Sequence, residues 1–133
     1  NLGQVQSLLG LMGVDDLPAF VGGHQMDAVR AYNLSKEAMI YWSKSKVGGF
    51  LERGVRINSV SPAPVATGIL DDFVAAFGDR AKKTLEMVGR AGKPEEIAAV
   101  IAFLASPKSR WVNGQDILID GGVGAIMEIG ALG

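Results

Sequence analysis

Tyr32 and Lys36 stand four residues apart, the spacing that puts two side chains on one face of a helix. A cation beside a phenol favours the phenolate, and such a phenol exchanges a proton with a carbonyl or alcohol oxygen near neutral pH. The pair is therefore a candidate general acid/base with its electrostatic partner. The same spacing suits an ordinary surface pair, and spacing alone does not choose between them. Other chemistry is thin. The chain has no cysteine, which removes disulfide scaffolds and thiolate metal sites. Its single histidine, His24, sits in a glycine-rich stretch without a nearby partner. It reads as solvent-exposed, with neither a metal-binding nor a catalytic role.

The elements that must position the pair follow from periodicity. A helix is predicted from about Ala28 to Arg53, with Leu34, Ala38, Met39, Trp42, Phe50 and Leu51 among its apolar residues. Asp27 stands where an N-cap belongs and Gly54 where the helix stops. Gly48 and Gly49 lie inside and could bend it. Upstream, Leu2, Val5, Leu8, Leu9 and Met12 predict a helix over residues 1–12, and residues 13–25 carry turn chemistry. Downstream, Val55–Val60 is a β-type run ended by Ser61 and Pro62, followed by a loop over 62–67 and a weaker helical stretch over 68–88. After a turn at 89–93, Pro94 opens a helix to about Ala105, with Glu95 and Glu96 where the helix dipole favours them. Pro107 ends it. A second strand, Asp116–Ile119, leads into Asp120-Gly121-Gly122 and a tail of small and apolar residues.

Strands linked by helices imply right-handed crossovers in a parallel α/β sheet. Such a sheet needs several strands and cover on both faces, and only two strands are legible. The chain therefore reads as part of a larger fold.

Composition narrows the function classes. With 48% apolar and 20% charged residues, the chain is a soluble globular type rather than a disordered one. A net charge of −1 without a basic stripe sets nucleic acid aside as a partner. The apolar runs fall short of the roughly 20 residues of a membrane helix. No charged leader precedes an apolar core, so a cytoplasmic location without membrane partners is expected.

Further anchors lie beyond the Tyr32–Lys36 helix. They are Gly54-Val55-Arg56-Ile57-Asn58-Ser59-Val60-Ser61-Pro62-Ala63-Pro64-Val65-Ala66-Thr67, then Gly89-Arg90-Ala91-Gly92-Lys93-Pro94-Glu95-Glu96-Ile97-Ala98, then Phe103-Leu104-Ala105-Ser106-Pro107, Val112-Asn113-Gly114-Gln115 and Ile119-Asp120-Gly121-Gly122. In order and spacing, from about Ala31 to Gly122, the chain resembles the C-terminal half of the short-chain dehydrogenase/reductase family. The resemblance implies an α/β fold, the C-terminal part of a doubly wound parallel-sheet (Rossmann-like) domain, with the N-terminal βαβ half absent. It implies an NAD(P)-dependent oxidoreductase interconverting an alcohol and a ketone.

Residue by residue, the resemblance makes Tyr32 the general acid/base. Lys36 becomes the residue that binds the nicotinamide ribose hydroxyls and favours the phenolate. Pro62, Ala63, Val65 and Thr67 become the loop that meets the nicotinamide of NAD or NADP, with Val65 backbone groups reading the carboxamide. The family usually has glycine where this chain has Ala63, a difference that a negative φ would accommodate. Asn58 is matched to a strand residue at the sheet's C-terminal end, although it could equally satisfy buried backbone groups. The stretch Ile69–Met87 matches the variable lid. Its Ile69, Leu70, Phe73, Phe77 and Met87 suggest a bulky apolar carbonyl or alcohol substrate, such as a hydroxysteroid or aromatic ketone. A homo-oligomer is expected, and no metal site.

The family's Gly-x-x-x-Gly-x-Gly turn is not found in the chain, nor is the segment that chooses between NAD and NADP. The family also places a serine about a dozen residues before the tyrosine. Here residues 18–20 are Pro, Ala and Phe, and the nearest upstream serine is Ser7. Residues 1–133 thus read as a single partial domain, with 1–31 an insertion-like segment before the catalytic helix and 32–133 the C-terminal half of the family's fold, and the serine is expected upstream of Asn1. With the tail through Met127, that insertion most resembles the bacterial 3α-hydroxysteroid dehydrogenase/carbonyl reductase group. A non-catalytic folding or interaction module remains the alternative.

Overall fold

A computed structural model of the chain describes residues 2–131. The first residue of the expected opening helix and the last two of the expected 1–133 domain lie outside them. The chain divides into two compact units, Asn1–Ile57 and Asn58–Gly133.

The first unit is helical: α1 (Leu2–Leu9), α2 (Leu17–Gly23), α3 (Ala28–Ser45) and α4 (Val47–Leu51). Its core is Val5, Phe20, Leu34 and Ala38, with Leu8, Leu11 and Met26 packed against it. Residues 13–25 carry turn chemistry, yet the structure forms a 3₁₀ turn at Val14–Asp16 and then α2. Pro18 costs no hydrogen bond in a first turn, and burial of Phe20 outweighs the poor helix propensity of Gly22 and Gly23. His24 is exposed, as expected, but not idle. Its Nδ1 is 2.8 Å from the Phe20 carbonyl and its ring lies 4.4 Å from that of Phe20, closing the end of α2.

α3 is capped as expected, the Asp27 carboxylate accepting the Arg30 N–H at 2.7 Å. It breaks at Lys46, two residues ahead of the glycine pair, and resumes as α4. Gly54 then takes φ +69, where a side chain would be strained, and lets the Val55 N–H return to the Phe50 carbonyl.

The second unit holds β1 (Ser59–Pro62), α5 (Leu70–Phe77), α6 (Asp79–Val88), α7 (Pro94–Ala105), β2 (Asp116–Ile119) and α8 (Val123–Gly130). β1 and β2 pair in parallel, Ser59 opposite Asp116 through Pro62 opposite Ile119, the helix-linked parallel pairing of an α/β fold. β1 starts four residues later than the sequence suggests, because β2 offers ladder partners only from Asp116. Asn58 therefore lies at the entrance of β1, not at the sheet's C-terminal end. Its side chain donates to the Val112 carbonyl and accepts from the Gln115 N–H, both at 3.0 Å. Ser59, Ala63 and their odd-numbered neighbours face β2, so the N–H that Pro62 lacks would have pointed away from it.

The 68–88 stretch is two helices, parted at Gly78 with φ +56. α7 matches its expected bounds. The tail expected after Gly122 is helical: the Asp120 carboxylate accepts the N–H groups of Gly122 and Gly124 at 2.9 and 2.7 Å, anchoring the start of α8.

Candidate active site

On α3, Leu34 and Ala38 are buried and their turn-related neighbours Tyr32, Ser35, Lys36 and Met39 are exposed. The helix thus turns one face to the core and presents Tyr32 and Lys36 together on the other. The Lys36 ammonium lies 5.3 Å from the Tyr32 ring centroid, over its face, within cation–π range. One turn below the tyrosine, the Ser35 hydroxyl donates to the Tyr32 carbonyl at 2.7 Å. Tyr32 is 45% exposed. Ser7, the nearest upstream serine, donates instead to the Gly3 carbonyl on α1.

In the second unit the chain leaves β1 as the loop that carries Pro62, Ala63, Val65 and Thr67. The Ala63 N–H donates to the Ile119 carbonyl at 3.2 Å. Val65 forms a parallel bridge with Gly92, made by the groups beside it: Gly92 N–H to Pro64 C=O at 3.0 Å and Ala66 N–H to Gly92 C=O at 2.8 Å. The N–H and C=O of Val65 itself consequently project to the opposite edge, where the Thr67 N–H donates to that carbonyl at 2.8 Å. Among the described residues only Gln25 is a non-glycine with positive φ. Ala63 therefore sits where glycine is common in the family without backbone strain.

Tyr32 and Lys36 are thus brought together, as are Pro62, Ala63, Val65 and Thr67. The two groups belong to the two units.

The second unit also holds a cavity of about 290 Å³. Ala63 and Pro64 form one wall, Leu85 and Val88 of α6 another, and Arg90, Glu96 and Asp120 are polar groups along it. Arg90 grips Glu96 with both guanidinium nitrogens, Nη1 to Oε2 at 2.8 Å and Nη2 to Oε1 at 2.7 Å. The Lys93 N–H donates to the same carboxylate at 2.7 Å. The Arg90 bond first, and the Lys93 N–H after it, lower the Glu96 carboxyl from 4.5 to about 2. The bond to Glu96 raises the Arg90 guanidinium in turn. The sequence flagged Glu96 for the helix dipole only. The signal for the rest was a Lys93-x-x-Glu96 capping box with an arginine three residues before it.

A family model described as enoyl-(acyl carrier protein) reductase matches residues 18–124, most of the chain and all six residues just placed. The chain belongs to the short-chain dehydrogenase/reductase family. It is 40% identical over 94 residues to a coniferyl-alcohol dehydrogenase from a Pseudomonas species, covering 69% of this chain and 37% of that protein. It is 36% identical over 100 residues to the 3-alpha-hydroxysteroid dehydrogenase/carbonyl reductase of Comamonas testosteroni, covering 74% and 39%. Its structure matches the 3-alpha-hydroxysteroid dehydrogenase of Pseudomonas sp. B-0831, solved in complex with NADH, with a TM-score of 0.81 and 30% identity. That match covers 95% of this chain and 50% of the other. The chain spans about two fifths of the length of these curated relatives.

Proposed function

We propose that the protein interconverts an alcohol and a ketone with NAD or NADP. The observation that carries this reading is the Tyr32–Lys36 pair, ring and ammonium together on the solvent face of a capped helix. In this reading the Tyr32 hydroxyl gives its proton to the carbonyl oxygen during reduction and takes it back during oxidation. The dinucleotide supplies or accepts the hydride. Lys36 binds the nicotinamide ribose and holds positive charge beside the phenol. Pro62, Ala63, Val65 and Thr67 meet the nicotinamide. A carboxamide carries one donor and one acceptor side, and the Val65 edge turned away from Gly92 carries the matching N–H and C=O, the carbonyl sharing itself with the Thr67 N–H. Residues 1–133 form one partial domain, in which 1–31 are an insertion-like segment and 32–133 the C-terminal half of the family's fold.

The substrate is a bulky apolar carbonyl, such as a steroid or aromatic ketone. Phe73 and Phe77 stack on α5 with centroids 4.3 Å apart, Ile69 before them is 70% exposed, and two relatives are named for coniferyl alcohol and a 3-alpha-hydroxysteroid. Homo-oligomerisation is supported by apolar side chains left open on α7 and β2, notably Ile101, Phe103 and Leu118. The test is consumption of NADH and NADPH by the full-length protein with a steroid ketone, an aromatic aldehyde and a short polar carbonyl. Turnover of either ring compound is expected. Activity confined to the short carbonyl would contradict the substrate assignment, and none at all the reaction.

A further inference from the structure

The turn from Gly89 to Lys93 has two glycines, one of them at φ +76, and such a segment has many conformations open to it. Four hydrogen bonds select one. The Glu96 carboxylate holds the Arg90 fork at both prongs and the Lys93 N–H as well, while Arg90 Nη1 also donates to the Ala91 carbonyl at 3.0 Å. Residues 90–93 are thereby drawn into a closed loop fastened to the first turn of α7. Gly92 stands within that loop, and its N–H and C=O are the two groups that bridge to Pro64 and Ala66.

We propose that Arg90 and Glu96 are positioning residues for the dinucleotide: through Gly92 they fix the strand-like edge on which Val65 presents its backbone to the nicotinamide carboxamide. This rests on the reading that the Pro62–Thr67 loop receives the nicotinamide. Neither side chain needs to touch the cofactor. Their effect is to keep the Val65 edge formed before binding, so that binding does not have to order it. A purely structural role makes a different forecast, because an exposed ion pair adds little to folding stability and has no reason to distinguish one nucleotide from another.

Calorimetric titration of the full-length protein with NADH and with ADP-ribose, which lacks the nicotinamide, separates the two. Glu96→Ala is expected to weaken NADH binding about tenfold, the scale of one lost hydrogen bond, and to leave ADP-ribose unchanged. Arg90→Lys keeps the charge but loses the fork, and should act in the same direction. Lys82→Ala, which removes an exposed pair to Asp79 on α6, should change neither ligand. Equal losses for NADH and ADP-ribose in Glu96→Ala, or an unchanged NADH affinity, would overturn the proposal. A wild-type protein that binds neither ligand would instead sink the dinucleotide reading beneath it.

Discussion

Leu34 sits between Tyr32 and Lys36 in sequence but on the opposite face of α3, 1% exposed, whereas Met39 on the same helix is 60% exposed. Replacing Leu34 by Ala removes three buried carbons. At about 0.8 kcal/mol per buried methylene the transfer loss is about 2.4 kcal/mol. The cavity left among Val5, Phe20 and Ala38 adds to it, for a total of about 3–5 kcal/mol. That is a large share of a domain stability of roughly 5–15 kcal/mol. Met39→Ala should stay within about 0.5 kcal/mol. Urea denaturation of the full-length protein measures both, the midpoint shift being read at constant m-value. If Leu34→Ala cost no more than Met39→Ala, α3 would not be turned as described. Tyr32 and Lys36 would then not share its exposed face.

Asp27→Ala should destabilise the first turn of α3 by about 1 kcal/mol, and Asp27→Asn by much less, since asparagine also accepts from the Arg30 N–H; thermal unfolding of both variants checks this. The Glu96 carboxyl should titrate near pH 2 rather than near 4.5. Because its value is depressed, whatever its pairing adds is complete above 4.5 and fades as pH falls toward 2, and the carboxyl carbon shift followed by NMR reports it. Amide exchange across α5 and α6 should be faster than across α3. Ala81 is the only buried residue of the two, against Leu34 and Ala38 in α3.

Elements with chemical punctuation were legible in the sequence. Asp27 and the 3.6-residue spacing marked α3, Pro94 and Pro107 bounded α7, and the short run Asp116–Ile119 ahead of Asp120-Gly121-Gly122 matched β2 to the residue. What failed depended on partners distant in sequence. α2 exists because Phe20 finds Val5 and Leu34, which no window over residues 13–25 contains. The start of β1 is set by where β2 begins, and α8 by an Asp120 carboxylate that turns back onto Gly122 and Gly124. The candidate site divides in the same way. Tyr32, Lys36 and the Pro62–Thr67 loop were legible from order and spacing. The Gly92 bridge behind that loop was not legible, because it joins backbone groups whose side chains carry no signal, and the Arg90–Glu96 clasp was announced only by the Lys93-x-x-Glu96 capping box and the arginine before it.

The central claim is that the Tyr32 hydroxyl carries the proton. The measurement that tests it most directly is NADH oxidation by a ketone with the full-length wild-type protein and its Tyr32→Phe variant, with NADH affinity determined on the same samples. Turnover should fall by about 10²–10⁴ while the nucleotide still binds. A phenylalanine variant that turned over at the wild-type rate would remove Tyr32 from the mechanism.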